Sequence, residues 1–544
     1  MGRNTFSVRY PCGVRSGAAV PAGAGTGGCR TDDPNQRRMA RLKEGTDMTS
    51  TTGNSAGSEP RHGGSYPEYH ALWHLERLGV VTDLHRFASP DAWNAVQSGG
   101  RKTRVALIDT SVDWTHPCLA PAIDRARMID LAARDFGVFT VPQDDLTGAE
   151  APARAEVIAA AAAGAGQGDA LRDRFLRDLG RAHETQDGYR AAASSAFSGH
   201  GTSMAGLIGA RPVDNVWLHR PARLSPDPRE AGETGAALPY AGIDPFCEIV
   251  PISTSALPFP DQMCAALIYA DLIGADVIAF AASIPDPTLA GVAMVDAEPP
   301  ATGKVPAGQT AMGDEALPSD PDLLTRWTEL KALILDVSQR RLILCAAGNA
   351  ADGMLSYPAN LAADDNGIVA VGACTSDGRR AGYSAGGDSH HPVTLFALSG
   401  DGPVADRDLY RLDPFAELPG TDARRLFDRA GAQMMAVETL ISTDVAGRPG
   451  YSTSPYAKVW RDTPGPDGAP VAYEFTSFFC EFSGTSAATA VATGLIALGF
   501  STGRLTRATA PSEIKAALVG GRDYDGEKGE PALTWRNMGA DSGG

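Results

Sequence analysis

Short apolar runs alternate with longer amphipathic segments through the middle of the chain. The first run, residues 104–108 (RVALI), lies between polar residues and predicts a buried strand. Further along, apolar residues at helical spacing lead directly into new apolar runs. The predicted helices are residues 261–274 and 322–337, and the predicted strands after them are residues 277–281, 342–346 and 368–373. Strands that alternate with helices of this length form βαβ units, so the pattern predicts an α/β fold with a parallel sheet covered on both faces.

Long segments with no such pattern separate and flank these elements. Three of them exceed ordinary loop lengths and are expected to be surface insertions: residues 137–195, 288–320 and 401–470. The first insertion contains an Ala-rich helical stretch and a charged helix near residues 169–183. Residues 1–68 are Gly/Ser/Thr-rich and are predicted to be disordered. We therefore expect one domain over residues 69–520, followed by a flexible tail, residues 521–544.

The composition argues against two classes of protein. Lys and Arg total 48 against 65 Asp and Glu, a formal charge of −17, which disfavours a general nucleic-acid binder. The sequence contains no continuous run of about 18 apolar residues, which a membrane-spanning helix would need. No apolar segment follows the basic residues near the N-terminus, as a secretion signal would require, so we predict a cytoplasmic protein, with export by another route left open. The eight cysteines form no C-x-x-C pair, and Cys345 and Cys374 lie in apolar runs, which favours free buried thiols.

Three short segments carry residues of catalytic type in the order Asp, His, Ser. Asp109 ends the first predicted strand, His200 lies between glycines at the start of a small-residue helix, and Ser486 begins an Ala-rich helix. Catalytic groups collect at the carboxyl ends of parallel strands, and a helix N-terminus favours developing negative charge. Each residue alone has a structural explanation, as a turn former, a core histidine or an N-cap. Together and in this order they predict a Ser-His-Asp triad.

Five ordered motifs resemble those of the subtilisin-like serine peptidases, the subtilases. Three are the segments around the predicted triad, VALIDTSVDWTHP, SGHGTSMAG and FSGTSAATAVATG. The fourth, LILCAAGN, ends at Asn349 and resembles the strand before the family's oxyanion-hole Asn. The fifth, GADVI at residues 274–278, resembles the strand that flanks bound substrate. The resemblance implies a three-layer α/β sandwich with a mostly parallel sheet and long surface insertions, and the activity of a serine endopeptidase on a protein or peptide substrate.

The resemblance also implies a role for each matching residue. Asp109 orients His200, which acts as general base for the nucleophile Ser486. Asn349 stabilises the oxyanion of the tetrahedral intermediate. The implied substrate-binding residues are Ala281, Ala282, Ser283, Gly348 and Ser356, and the small uncharged ones among them suggest an uncharged P1 side chain.

A second serine competes with Ser486 for the role of nucleophile. The segment GTSMA around Ser203 is closer to the family's usual nucleophile motif than GTSAA around Ser486, because Ala487 stands where Met is common. Ser203, however, follows His200 by three residues on one predicted helix, which would place its hydroxyl beside the backbone of the base. We therefore assign Ser486 as the nucleophile.

We expect this protein to need no cofactor. Many subtilases hold a structural Ca²⁺ through the Asp of a His-Pro-Asp-Leu sequence, and here that stretch reads His116-Pro-Cys118-Leu. Because calcium takes oxygen ligands and a thiol is a poor substitute, we expect the strong site to be absent. Asp214 and Asn215 could still ligate an ion, but solvated loop residues are the simpler interpretation.

Two alternative functions fit the same motifs. A peptidase dedicated to processing or macrocyclising one partner peptide would explain the long insertions, which could direct access to the site. A binding module could also retain the fold without the chemistry, although the intact Asp109, His200, Asn349 and Ser486 weigh against this, since function resides in the site and not in the fold.

Overall fold

The computed structural model describes the domain in segments. The described residues are 69–70, 72–82, 92–132, 137–166, 170–181, 198–217, 235–238, 240–255, 258–286, 321–351, 353–376, 378–400, 404–406, 410–411, 434–436, 440–445, 479–520, 532–536 and 538. The predicted disordered segment 1–68 and the insertion 288–320 lie outside them, as does most of the insertion 401–470.

The elements are numbered in chain order. The strands are β1 (Tyr69–His70), β2 (Arg104–Asp109), β3 (Ile129–Asp130), β4 (Val138–Phe139), β5 (Val213–Trp217), β6 (Gly235–Leu238), β7 (Glu248–Ser253), β8 (Val277–Phe280), β9 (Leu342–Ala346), β10 (Ile368–Cys374), β11 (Leu395–Leu398), β12 (Val404–Asp406), β13 (Tyr410–Arg411), β14 (Met434–Ala436), β15 (Leu440–Thr443) and β16 (Phe479–Phe482). The helices are α1 (Trp73–Arg77), α2 (Glu150–Gly164), α3 (Ala170–Arg181), α4 (Ser198–Gly209), α5 (Pro260–Leu272), α6 (Pro321–Ser338), α7 (Gly484–Thr502) and α8 (Pro511–Gly520). Two 3₁₀ turns lie at Gln143–Asp145 and Ala359–Leu361.

A mostly parallel sheet forms the centre of the domain. Its eight strands run in the order β11-β10-β9-β8-β2-β7-β3-β4, and every neighbouring pair is parallel except β3 with β4. The strands predicted at residues 104–108, 277–281, 342–346 and 368–373 are β2, β8, β9 and β10, and the two predicted helices are α5 and α6. The predicted mostly parallel α/β sheet is therefore confirmed.

Helices cover both faces of this sheet. Along β2, Val105 and Leu107 point to one hydrophobic cluster and Ala106 and Ile108 to the other, because successive strand side chains alternate between faces. Helices α4, α7 and α8 contribute to the first cluster, whereas α2, α3, α5 and α6 contribute to the second. The result is the three-layer sandwich that the sequence predicts.

The first insertion contains the two helices expected of it, α2 and α3. Arg154 of α2 is buried, and its guanidinium donates to the carbonyl oxygens of Ala126 at 2.8 Å, Val141 at 2.5 Å and Arg125 at 3.0 Å. It also lies 4.4 Å from the ring centroid of Phe139. A buried cation with this many partners is a fixed anchor, so α2 is part of the packed layer on this face and not a loose decoration.

Helix α7 has the length and composition of a membrane-spanning segment, the one such helix in the part of the chain that the structure describes. It has 19 residues, its apolar window has a mean hydropathy of 1.3, and 94% of that window is buried inside the protein. The sequence analysis found no apolar run of this length because Gly, Thr and Ser interrupt it. Its apolar character is accounted for by its place in the core between the sheet and α4.

The described cysteines are all free and buried: Cys118, Cys247, Cys264, Cys345, Cys374 and Cys480. This confirms the prediction for Cys345 and Cys374. Burial raises the pKa of the Cys345 thiol to about 12, so it stays protonated and unreactive. The predicted cytoplasmic location stays a prediction.

The predicted flexible tail is wrong for residues 532–536 and 538. Leu533, Trp535 and Met538 are buried in the core. The backbone N–H of Trp535 donates to Leu78 O at 2.9 Å, its indole N–H donates to Asn94 O at 3.2 Å, and the Arg504 guanidinium lies 4.0 Å from its ring centroid. These contacts join Trp535 to Leu78, Asn94 and Arg504, and the burial of three apolar side chains accounts for the fixed position of the segment.

Trp535→Ala is expected to lower the free energy of unfolding by about 3–5 kcal/mol, the usual cost of removing a buried aromatic ring. Urea unfolding followed by circular dichroism measures it. Val96→Ala is the control, because Val96 is 82% exposed and surface substitutions usually stay within about 0.5 kcal/mol. A Trp535→Ala loss no larger than that of the control would show that the segment frays as the sequence suggested.

Candidate active site

Three of the predicted residues meet at one edge of the sheet. Asp109 is the last residue of β2, Ala281 directly follows β8, and Asn349 follows β9 by three residues. Strands β2, β8 and β9 are neighbours and parallel. Their carboxyl ends therefore lie side by side, where the reacting groups of open α/β sheets collect.

His200 reaches this edge from the start of α4. It is the third residue of the helix, as predicted, and its side chain is 22% exposed. A Cβ atom on Gly201 would lie 2.3 Å from Thr110 O in the loop after β2. Only glycine permits that approach, so Gly201 lets α4 bring His200 against the end of the strand.

A short contact joins His200 to the buried Asp109. His200 Nδ1 lies 2.8 Å from both carboxylate oxygens of Asp109, which is buried. The backbone N–H of Thr110 donates to Asp109 Oδ1 at 2.7 Å, and the Phe482 ring packs edge-on against the imidazole at 5.4 Å. Burial lowers the pKa of His200, but the charge of Asp109 and its hydrogen bond raise that pKa by more, so it lies above the usual 6.5.

Ser486 is the third residue of α7 and lies near the helix N-terminus. Its side chain is largely buried, at 9% exposure, and its hydroxyl donates to the carbonyl of Ala281 at 3.3 Å. This contact places the hydroxyl at the carboxyl end of β8, between the strands that end near Asp109 and Asn349.

The side chain of Asn349 is exposed but oriented. Asn349 Oδ1 accepts from the backbone N–H of Thr485 at 2.8 Å and from its hydroxyl at 3.0 Å. A backbone N–H can only donate, so the atom that faces it is the amide oxygen. The amide nitrogen of Asn349 is then left to donate on the side away from Thr485, and a Cβ atom built on Gly484 would lie 3.3 Å from this nitrogen.

Ser203 is turned into the protein interior. It is fully buried, its hydroxyl donates to Thr443 O at 2.9 Å, and Ser203 Oγ lies 3.2 Å from Cys480 Sγ. The side chain therefore points from α4 towards β15 and β16. The sequence analysis expects this hydroxyl beside the backbone of His200, whereas its contacts in the structure are with Thr443 and Cys480.

The predicted substrate-binding residues lie in two segments of the chain, one that follows β9 and one that follows β8. Gly348 directly precedes Asn349, its N–H donates to Thr485 Oγ1 at 3.2 Å, and a Cβ on Gly348 would lie 2.4 Å from Ser356 Oγ. Gly348 and Ser356 are thus in contact. Ala281, Ala282 and Ser283 continue the chain beyond β8, with Ala282 and Ser283 half-buried.

The residues in the expected calcium position do not fit that ion. Cys118 is buried, burial raises the pKa of its thiol to about 12, and its carbonyl accepts from the Arg211 N–H at 2.8 Å. A protonated thiol supplies no hard oxygen ligand. Within the described residues, no group of three or more His, Cys, Asp and Glu side chains could hold a metal. Asp214 and Asn215 lie in β5, and their side chains are outside the described part.

Sequence reasoning missed three residues that shape the site. Thr485 holds the amide of Asn349, and Tyr383 and Ser399 hold the backbone of Gly484. The adjacency of Thr485 to Ser486 was a signal, since both lie in the motif GTS. Tyr383 and Ser399 had none, because they are 101 and 85 residues from Gly484 along the chain.

One family of known proteins matches more than half of the chain. The sequence model of the subtilase family matches residues 100–418 of the 544. That stretch contains Asp109, His200 and Asn349, whereas Ser486 lies beyond it. A search of curated proteins found no match.

Solved structures of peptide-maturation and leader-processing proteases are among those similar to this chain. The prenylagaramide maturation protease is 18% identical, with a TM-score of 0.35, covering 81% of this chain and 91% of its own. The nisin leader peptidase from Lactococcus lactis is 14% identical, with a TM-score of 0.41 and coverages of 86% and 93%. The epidermin leader peptide processing serine protease from Staphylococcus aureus is 13% identical, with a TM-score of 0.43 and coverages of 87% and 81%.

Proposed function

Because the chain belongs to the subtilase family and is thus a serine endopeptidase acting on peptide or protein substrates, we propose that Asp109, His200 and Ser486 are its catalytic triad. The observation that carries the proposal is the 2.8 Å contact between His200 Nδ1 and the buried Asp109 carboxylate. It lies at the sheet edge where the Ser486 hydroxyl also lies, next to Ala281 O.

Each group has one task in the proposed reaction. His200 Nε2 takes the proton of the Ser486 hydroxyl while Oγ attacks the scissile carbonyl, and it then gives that proton to the leaving amine. A water molecule attacks the acyl-enzyme with the same base and releases the acid. Asp109 keeps the Nδ1 proton in place and stabilises the imidazolium that forms twice in the cycle. The Ser486 hydroxyl turns from Ala281 O towards His200 when substrate binds, since catalytic hydrogen bonds often tighten only in the complex.

Asn349 supplies the proposed oxyanion hole together with a backbone N–H near Ser486. The negative charge on the former carbonyl oxygen develops only in the transition state and the tetrahedral intermediate, so a donor fixed in advance lowers the barrier without strengthening ground-state binding. The two hydrogen bonds from Thr485 to Asn349 Oδ1 support this role, because they aim the amide nitrogen before substrate arrives.

Asn349→Ala is expected to lower kcat by about 10²–10³ with KM nearly unchanged, the loss that the equivalent change causes in subtilisin, so the number is carried over and not calculated. Steady-state kinetics on a chromogenic peptide measures both constants. Asn94→Ala is the control, since the Asn94 amide donates to Gly79 O at 2.8 Å, away from the residues of the site. A raised KM with unchanged kcat would mean that Asn349 binds ground-state substrate instead.

Reaction with a fluorophosphonate probe tests the proposed chemistry. An active triad becomes covalently labelled with loss of fluoride, and labelling should map to Ser486 by peptide mass spectrometry. A folded chain that takes no label would favour the non-catalytic binding module. Digestion of casein and of a random peptide library then separates a general endopeptidase from an enzyme dedicated to one partner peptide. Cleavage with an uncharged P1 residue is the proposed preference, supported by the small, uncharged Ala282, Gly348 and Ser356.

We further propose that the fold does not depend on calcium, since the protonated Cys118 thiol replaces the carboxylate ligand. The midpoint of thermal unfolding should stay the same with excess EDTA and with millimolar Ca²⁺. A midpoint that falls by many degrees on chelation and recovers with calcium would contradict the proposal, and would show that oxygen ligands elsewhere in the chain rebuilt a site.

A further inference from the structure

The backbone of Gly484, two residues before Ser486, is held by side chains from a distant part of the chain. Its N–H donates to Tyr383 Oη at 3.2 Å, and its carbonyl accepts from Ser399 Oγ at 2.9 Å. Tyr383 lies between β10 and β11, and Ser399 directly follows β11. Both polar backbone groups of this buried residue therefore have side-chain partners.

The two hydroxyls also bond to each other and close a ring. Tyr383 Oη lies 2.8 Å from Ser399 Oγ, with Gly400 O as a further acceptor at 3.1 Å. The directions agree around the ring: Gly484 N–H donates to Tyr383, Tyr383 donates to Ser399, and Ser399 donates to Gly484 O. The Tyr383 hydroxyl has one proton, and both Ser399 Oγ at 2.8 Å and Gly400 O at 3.1 Å can accept it. When the proton points to the nearer Ser399 Oγ the ring is closed, and closed networks are stronger than isolated bonds.

The turn held by this ring sets the geometry of both proposed catalytic donors. Gly484 has φ +86°, a left-handed conformation that starts α7, and Ser486 follows in the first turn of that helix. Thr485 lies between them and fixes Asn349 Oδ1 through its N–H and hydroxyl. A shift of the Gly484 peptide would therefore move the nucleophile and the oxyanion donor together, and misplacement by 1 Å can cost about 10²-fold in rate.

We propose that Tyr383 and Ser399 are positioning residues, which hold the turn at Gly484 so that Ser486 and Asn349 are aligned before substrate binds. The inference rests on the proposed function of those two residues. Tyr383 and Ser399 do not touch the reacting atoms. Their hydroxyls act through the Gly484 peptide, and their effect falls on the chemical step.

Tyr383→Phe and Ser399→Ala each break the ring while removing a single oxygen atom. We expect kcat to fall about tenfold to a hundredfold in each variant, with KM within about twofold. The double variant should lose little more than either single variant, because one break already opens the ring. The acid limb of the pH profile of kcat/KM should not move, since the contact between Asp109 and His200 is untouched. Active-site titration corrects each rate for the fraction of folded enzyme.

Tyr269→Phe is the matched control. Tyr269→Phe likewise removes one phenolic hydroxyl, from a fully buried ring where Tyr383 is half-buried, and the Tyr269 hydroxyl donates to Arg127 O at 2.6 Å on the opposite face of the sheet. Its melting temperature should fall about as far as that of Tyr383→Phe while kcat stays unchanged. If Tyr383→Phe behaves like this control, with a lower melting temperature and full kcat per titrated site, the residues are merely structural and the inference is wrong.

A double-mutant cycle that combines Tyr383→Phe with Asn349→Ala separates failure of the inference from failure of the proposed function. If Asn349→Ala leaves kcat unchanged, the oxyanion assignment itself is wrong. If Asn349→Ala lowers kcat as proposed, Tyr383→Phe should cost clearly less in that background than in the parent enzyme, because one of the two donors it aligns is gone. Equal losses in both backgrounds would show that Tyr383 does not act through this pair, and would overturn the inference.

Discussion

Ser486→Ala is expected to abolish peptide hydrolysis and labelling by a fluorophosphonate probe. The variant removes the oxygen that forms the acyl-enzyme, and in subtilisin the same change lowers kcat by about 10⁶, so the size of the effect is carried over from that enzyme. The fold should survive, because the hydroxyl has only a 3.3 Å contact with Ala281 O and its loss leaves no large cavity. Turnover, probe labelling and thermal unfolding measured on one preparation separate lost chemistry from lost fold.

Ser203→Ala is the matched control for the nucleophile. It removes a hydroxyl from a residue in a very similar motif, but one that is buried and donates to Thr443 O. Stability should fall by about 1 kcal/mol, the usual worth of one hydrogen bond, while turnover and labelling persist. Labelling that is lost in Ser203→Ala and kept in Ser486→Ala would reverse the assignment of the nucleophile.

The central strands could be predicted because their signal is local. A parallel strand buried on both faces is a continuous apolar run, and β2, β8, β9 and β10 are such runs. Strand β7 escaped the sequence analysis although it pairs with β2 along its whole length, because Pro251 lies in its middle. Proline argues against a central strand, and tertiary pairing overrode that preference here.

The site residues that lie in recognisable sequence motifs could be predicted. Asp109, His200 and Asn349 stand at the ends of predicted elements, and the rule that catalytic groups gather at the carboxyl ends of strands brought them together. The role of the Tyr383 and Ser399 hydroxyls could not be predicted from the sequence, because their contact with Gly484 at the start of α7 exists only in the folded chain. The same holds for Leu533, Trp535 and Met538, whose burial depends on contacts with residues distant along the chain, such as Leu78 and Asn94.

Asp109→Asn is expected to lower kcat by about 10⁴ while the fold is kept, the loss that this change causes in other Ser-His-Asp enzymes. The Thr110 N–H, 2.7 Å from Oδ1, would select the amide oxygen at that position and leave the amide nitrogen at the position of Oδ2. Both positions lie 2.8 Å from His200 Nδ1, so the Asn side chain replaces two charged acceptors by one neutral acceptor and one donor. Where the amide nitrogen donates to Nδ1, the imidazole carries its proton on Nε2 and cannot take one from Ser486.

The pH profile gives this prediction a second readout. The charge of Asp109 holds the pKa of His200 above 6.5, and the base must be neutral to act, so activity of the parent enzyme should fall as the pH drops below that raised value. Asn carries no charge, so the pKa of His200 should drop and the acid limb of kcat/KM should move to lower pH. Asp113→Asn is the control: this buried acid lies in the same loop and accepts from Thr115 instead of from His200. A loss of less than tenfold in Asp109→Asn, with an unmoved acid limb, would remove Asp109 from the triad.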